Sequence, residues 1–392
     1  MLKKITIDEL EVGMYVTDVV WESSQYKVKT QGLVKSPGTI DQLRKQGVAS
    51  IVIDASRLEE SAKNDEPQRT NASPATPENK KCSIEEEFAR STELYDEATE
   101  HVKEIFFNAR SGEQLSPEAV HVLAGEITDS VIRNEFAMTM LTRIRHHSTY
   151  QWEHSINSGV LLCGFSLYLG IKKETAKQIT LGALLHDVGN AKVPRAIMEK
   201  PDKLTKNEMS VVKKHVSWGL NICKKDGLTN PIVVDMLVNH HERLDGSGYP
   251  RGISDGKLSK LSRMTAIVDV YDAMTGDSTY RKGQEPVQVL RYLMSKPNLF
   301  DQELVQKFIK YMGVYPVGSL VQLNNDKIAV VLEGNRVEPL KPIVKVFYSI
   351  KLRHYITAKT IDLRDETAKI TGSIKAEDYE INLSKLLKDI VT

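Results

Sequence analysis

The chain has 392 residues, with 53 Lys+Arg against 52 Asp+Glu and a formal charge of +1, so its electrostatics favour neither a DNA or RNA polymer nor a basic partner. A composition of 41% hydrophobic and 27% charged residues is that of an ordinary globular protein, and the length suits two or three domains. The longest nearly apolar run, Gly159 to Ile171, is interrupted by Ser166 and falls short of the ~20 residues of a spanning helix, and the amino terminus has no secretory apolar stretch. No membrane insertion and a cytoplasmic location are therefore expected. In chain order, residues 1–57 mix a short amphipathic segment with alternating stretches such as Ser50-Ile51-Val52-Ile53, which predicts a small α+β accessory domain. Residues 58–82 are polar and carry Pro67, Pro74 and Pro77; they cannot bury enough apolar surface to offset ordering, and read as a disordered linker.

From Ser83 the pattern changes. Ile84, Phe88, Leu94, Ala98, Val102 and Phe106 recur at helical spacing, and similar patterns run to about Met312. This predicts a helical lead-in over 83–145 and an all-helical domain over 146–314. Within the lead-in, Glu85-Glu86-Glu87 reads as an exposed face. Residues 315–392 alternate, as in Val344-Lys345-Val346-Phe347-Tyr348, and predict a small β-rich segment. The expected class is mainly α.

The chemistry lies in the helical centre. Of ten histidines, His154, His186, His215, His240 and His241 fall between positions 154 and 241, most of them in or at the end of separate apolar-periodic segments, and Asp187 and Asp269 accompany them. Facing helices of a bundle can pool such ligands in their core. Adjacent helical residues diverge by roughly 100°, so His186-Asp187 is better suited to flank two ions with a bridging carboxylate than to chelate one. The three cysteines, Cys82, Cys163 and Cys223, form no close pair, which excludes a disulfide framework and a thiolate zinc knuckle. Imidazole with carboxylate suits Fe, Mn or a related divalent ion.

His186-Asp187-Val188-Gly189, Lys213-Lys214-His215, the string from His240-His241-Glu242 through Gly248-Tyr249-Pro250, and Asp269-Val270-Tyr271-Asp272-Ala273 resemble the HD-GYP family, a subgroup of the HD metal-dependent phosphohydrolases. The resemblance runs from about His147 to Met312, and residues 1 to about 65 resemble a small domain of unknown function that often precedes HD-GYP domains. It implies a central HD-type bundle that hydrolyses cyclic di-GMP or 3′3′-cGAMP with two divalent metals. His154, His186, Asp187 and Asp269 would hold one ion, and Asp187 would bridge to a second held by His215, His240 and His241. Asp187 and His241 would stand at the catalytic centre, and Asn190, Tyr249 and Arg281 at the substrate. A second copy of the chain or a signalling protein would dock through the N-terminal domain.

Departures accompany the matches. Some members supply a third metal through a glutamate four residues before the first histidine; here that position is Tyr150, and Glu153 is out of register. Asn190 stands where the family usually has Lys, and Ser278 where it commonly has Arg. Lys192 substitutes for the missing lysine only if the chain leaves the helix near Gly189. These losses motivate a second reading, a catalytically weak cyclic-dinucleotide sensor built on the same metal site. A di-iron oxygenase is a third, which Gly-Tyr-Pro argues against.

Overall fold

The computed structural model describes residues 2–11, 14–21, 32–34, 40, 44, 48–54, 81–143, 150–254, 256–276 and 282–391. The expected linker and the boundary near 145 fall almost wholly outside them. The chain divides into two compact units, Met1–Thr76 and Pro77–Thr392.

The first unit is a four-stranded sheet of β1 (Leu2–Thr6), β2 (Tyr15–Trp21), β3 (Gly32–Leu33) and β4 (Val48–Asp54), in the order β1-β4-β2-β3. Period-2 alternation sets its core: Ile51 and Ile53 are buried on one face with Ile5, Ile7 and Val16, while Val52 between them is half-buried.

The second unit begins with α1 (Ile84–Ser111), capped by Ser83, whose side chain accepts from Glu86 N while the Glu86 carboxylate accepts from Ser83 N. Its stripe of Ile84, Phe88, Ala98, Val102 and Phe106 is buried as the spacing predicts. Glu87 departs from the expected exposed face. It is fully buried, because both carboxylate oxygens are engaged by Arg133 at 2.7 and 2.8 Å and by Ser130 at 2.8 Å. There follow α2 (Pro117–Arg133), α3 (Glu135–Leu141), α4 (Tyr150–Tyr168), α5 (Lys173–Leu185), a 3-10 turn (Val188–Lys192), α6 (Arg195–Met198), α7 (Lys206–Val212), α8 (His215–Lys225), α9 (Pro231–Asn239), α10 (Lys260–Thr275), α11 (Pro286–Met294) and α12 (Gln302–Met312). No described helix is long and apolar enough to cross a membrane.

Five antiparallel strands close the unit: β5 (Leu320–Leu323), β6 (Lys327–Glu333), β7 (Ile343–Ser349), β8 (His354–Asp362) and β9 (Ile370–Ser373), ordered β8-β7-β6-β5-β9. A terminal helix, α13 (Leu383–Val391), which the alternating tail did not predict, follows them. Ile328 to Leu332 are buried on both faces of β6, α3 packs on this strand, and one hydrophobic core runs from Ile84 to Leu387. The sheet and the helices thus share an interior. The class is mainly α with a small N-terminal unit and a C-terminal sheet.

Candidate metal centre

Each of the seven residues singled out by the sequence is placed by a helix or by a helix end. His154 lies in α4 and Asp269 in α10; His186 and His240 are the C-caps of α5 and α9, with Asp187 and His241 next in the chain; His215 opens α8. The chain breaks at Lys213-Lys214 between α7 and α8. That break lets His215 Nδ1 reach the Val212 carbonyl at 2.7 Å. Gly189 makes the next approach feasible. A Cβ there would stand 1.9 Å from the His215 carbonyl oxygen, so only glycine lets the turn after Asp187 lie against α8.

The side chains form two groups whose ligand atoms lie within 4.8 Å of one another: His154, His186 and Asp269, and Asp187, His215, His240 and His241. Asp187 joins them. Its Oδ2 is 3.9 Å from His154 Nε2 and 3.8 Å from His186 Nε2, while its Oδ1 is 3.3 Å from His215 Nε2 and 3.7 Å from His240 Nε2.

The donor set fits cations better than it fits itself. Nδ1 of His186 contacts the Ala183 carbonyl at 2.7 Å, and Nδ1 of His240 the Met236 and Leu237 carbonyls at 3.1 Å each. Since a carbonyl only accepts, these nitrogens carry protons, and in the neutral form that ligates a metal each ring turns its Nε2 lone pair inward. His215 Nε2 and His240 Nε2 then face each other at 3.2 Å, lone pair to lone pair. His186 Nε2 and Asp187 Oδ1 are buried without a hydrogen bond, a costly condition that a cation relieves. Electrostatics agree. Burial favours neutral carboxyls, yet His186, His240 and His215 hold Asp187 well below the usual carboxylate range, and the hydrogen bonds of His154 and His186 do the same for Asp269. Burial and the neighbouring His240 push His241 well below the ordinary imidazole value, so it is neutral at physiological pH. In His186 burial is outweighed by Asp187, and the value rises, which marks an excess of negative charge at that point.

A loop from Arg243 to Ile253 covers one side. Glu242, almost fully buried, accepts from Arg251 N at 2.9 Å and Ile253 N at 3.1 Å and so pins it. Gly248 packs so closely that a Cβ would fall 2.5 Å from Glu242 Cα and from the His241 carbonyl oxygen. The result sets the Tyr249 ring 4.5 Å from the His241 ring, with Lys213 Nζ 4.8 Å from its centroid. A cavity of about 310 Å³ opens beside the group, lined among others by His154, Asp187, His241, Arg243, Asp269 and Met274. Arg243 Nη1 is held there by the carbonyls of His240 at 3.1 Å and Glu242 at 2.8 Å.

Other expected residues fare differently. Asn190 is nearly buried in the 3-10 turn, with Oδ1 making no hydrogen bond. Lys192 does not replace a lysine at 190: the chain leaves the helix as required, but Nζ donates to the Arg110 carbonyl at 3.1 Å instead. Ser278 and Arg281 lie outside the described residues. Three residues carried no assigned role in the sequence reading. Glu242 pins the loop, Lys213 caps Tyr249, and Asp272, buried one turn beyond Asp269, accepts from His154 Nδ1 at 2.7 Å. The i, i+3 spacing of Asp269 and Asp272 on one helix face was the available signal for the last of these.

The HD domain profile matches residues 144–304, a domain of unknown function matches 2–120, and a KOW domain associated with HD domains matches 320–385. The chain is 32% identical to a Pseudomonas aeruginosa protein named cyclic di-GMP phosphodiesterase, over 98% of this chain and 95% of that one. It is 26% identical to a cyclic di-GMP phosphodiesterase of Borreliella burgdorferi over 56% of each chain. Against the 3′3′-cGAMP-specific phosphodiesterase 1 of Vibrio cholerae the identity is 32%, over 42% of this chain and 39% of that one.

Proposed function

The chain belongs to the HD-GYP family of HD-domain proteins, and from that premise we propose that it is a metal-dependent phosphodiesterase which hydrolyses a cyclic dinucleotide, cyclic di-GMP or 3′3′-cGAMP, to the linear 5′-phosphorylated dinucleotide. The observation that carries this reading is the pair of His/Asp groups joined through the two oxygens of Asp187. We assign His154, His186, Asp187 and Asp269 to one divalent ion, and Asp187, His215, His240 and His241 to a second, with Fe or Mn suited to the nitrogen and oxygen donors. Bound there, such ions supply the Lewis acidity that makes water nucleophilic at neutral pH and neutralises phosphate charge.

The protein's part is positional. Asp187 holds the two groups in register, and neutral His241 beside the cavity turns its one ring lone pair to the second ion, while the proton of the attacking water and the one taken by the departing 3′ oxygen exchange with water in the open cavity. Attack in line breaks the P–O3′ bond and leaves the phosphate on the 5′ side. Tyr249 offers a ring face to a base and a hydroxyl that burial keeps protonated. We assign Asn190 and Arg281 to substrate as well, and Lys213 and Arg243 add positive charge at the rim. The reading places the reaction in the cytoplasm and gives docking of a second copy or a signalling protein to the N-terminal unit.

The uncharged Asn190 favours a second reading, in which the same centre holds a cyclic dinucleotide but turns it over weakly. Incubating metal-replete protein with each cyclic dinucleotide and identifying products by mass decides between them. Linear pGpG or its hybrid counterpart at many turnovers per chain supports the enzyme; binding with fewer than one turnover supports the sensor.

A further inference from the structure

The two halves of the centre are not equal. The half with His154 and His186 faces two carboxylates, with His154 Nε2 only 3.1 Å from Asp269, whereas in the other half His215 and His240 approach Asp187 at 3.3 and 3.7 Å and His241 comes no nearer than 3.7 Å to Asp269. Their outer nitrogens differ too. His186, His215 and His240 each rest Nδ1 on a neutral backbone carbonyl, but His154 rests it on the carboxylate of Asp272, at 2.7 Å and with Asp272 fully buried. His241 Nδ1 lies 3.7 Å from Asp269 Oδ2, beyond hydrogen-bond reach. A charged acceptor makes the stronger hydrogen bond, more so where water is excluded, and raises the donor strength of the opposite ring nitrogen.

We infer that Asp272 is a positioning residue that makes the half containing His154 the tighter cation site, so that the chain fills its two sites in order and the half with His215, His240 and His241 fills last and empties first. The inference rests on reading the cluster as a two-cation centre. It has a functional consequence, because a chain with one tight and one loose site is complete only while free metal exceeds the weaker dissociation constant. Turnover then reports the free divalent-metal level through the His215 half.

The test titrates chelator-stripped full-length protein with Mn²⁺ alone, following free Mn²⁺ by electron paramagnetic resonance. Wild type should take two ions in two phases at least about tenfold apart in Kd. Asp272→Asn keeps a hydrogen-bond acceptor but removes the charge. It should weaken the first phase by about 10- to 100-fold and leave the second nearly unchanged, whereas a merely structural Asp272 would leave both phases where they are. His215→Ala should delete the weaker phase and spare the tighter one, which keeps the idea testable should Asp272→Asn fail to fold. Two equal ions in wild type, both phases moving together or neither moving in Asp272→Asn, or loss of the tighter phase in His215→Ala, each overturns the inequality. A wild-type chain that binds no Mn²⁺ sinks the two-cation reading beneath it, a different result from two equal sites.

Discussion

Gly189→Ala is expected to damage the centre out of proportion to the single methyl it adds. The new Cβ would meet the His215 carbonyl oxygen at 1.9 Å, Gly219 N at 2.6 Å and His215 C at 2.7 Å, where ordinary contact begins at 3.4 Å. The turn and α8 must therefore part by about 1.5 Å. No flexible side chain can yield, since every atom struck is backbone and the flanking Val188 and Ala191 are buried. Overpacking a filled interior costs about 1–3 kcal/mol, and three backbone clashes at once put this variant at about 3 kcal/mol, or roughly 4–5 °C in Tm for a unit of this size. The same displacement moves His215 away from Asp187, now 3.3 Å apart. Misplacement by about 1 Å costs on the order of 100-fold in rate, so kcat/KM should fall by at least that much and Mn²⁺ stoichiometry should drop. Gly170→Ala is the control. With φ +78° and nothing within 4 Å of its Cβ, it strains only its own backbone, for about 1 kcal/mol, far from the ligands in sequence. Calorimetry, metal analysis and steady-state kinetics on both variants decide the matter: if Gly189→Ala matches Gly170→Ala in all three, close packing of the turn on α8 does not position the site.

Asp187→Ala should lose bound metal and hydrolysis together, and full metal occupancy in that variant would remove the bridge from the account. Lys213→Gln should raise KM for a cyclic dinucleotide several-fold with little change in kcat, and the effect should shrink in high salt as screening sets in; an unchanged KM at low salt would show that this ammonium serves only Tyr249. Asn190→Lys combined with Ser278→Arg should raise kcat/KM for cyclic di-GMP at low salt by about tenfold, and normal metal content with no gain on any cyclic dinucleotide would detach those positions from phosphate. Glu87→Gln should destabilise the fold by about 2–3 kcal/mol at pH 7, less than a wholly buried pair because Arg133 is partly exposed. Burial opposes ionisation of Glu87, but Arg133 and Ser130 lower its pKa, so the stabilisation is present above the unfolded carboxyl value and disappears as pH falls through the folded one. Melting curves of the two proteins should therefore converge in acid, and a constant gap across the range would contradict the ion pair.

Periodicity made the helices legible because a buried stripe repeats with the helix, as Ile84, Phe88, Val102 and Phe106 do. The ligand set was legible through residue types and their family spacing. What stayed hidden was set by contacts distant in sequence. Glu87 looked solvated within a run of three glutamates because its partner Arg133 lies 46 residues away. The break at Lys213-Lys214 carries no glycine or proline to announce it, and His215 just beyond it stands 3.3 Å from Asp187, a residue 28 positions back in the chain. The terminal helix was masked by the alternating strands before it, although its apolar residues Leu386 and Leu387 reach the shared core.

That shared core gives α1 a second occupation. At 28 residues it is a strut about 42 Å long. It packs against the terminal helix, and its last turn grips the corner that carries His186 and Asp187: Arg110 Nε donates to the Ala191 carbonyl at 3.1 Å, and Lys192 Nζ returns to the Arg110 carbonyl at 3.1 Å. The tail sheet is therefore no pendant that can be trimmed at residue 314 with the rest left standing. Cutting there unseats the beam on which the Asp187 corner is hung, and a load applied to the tail has a stiff, continuous member along which to arrive.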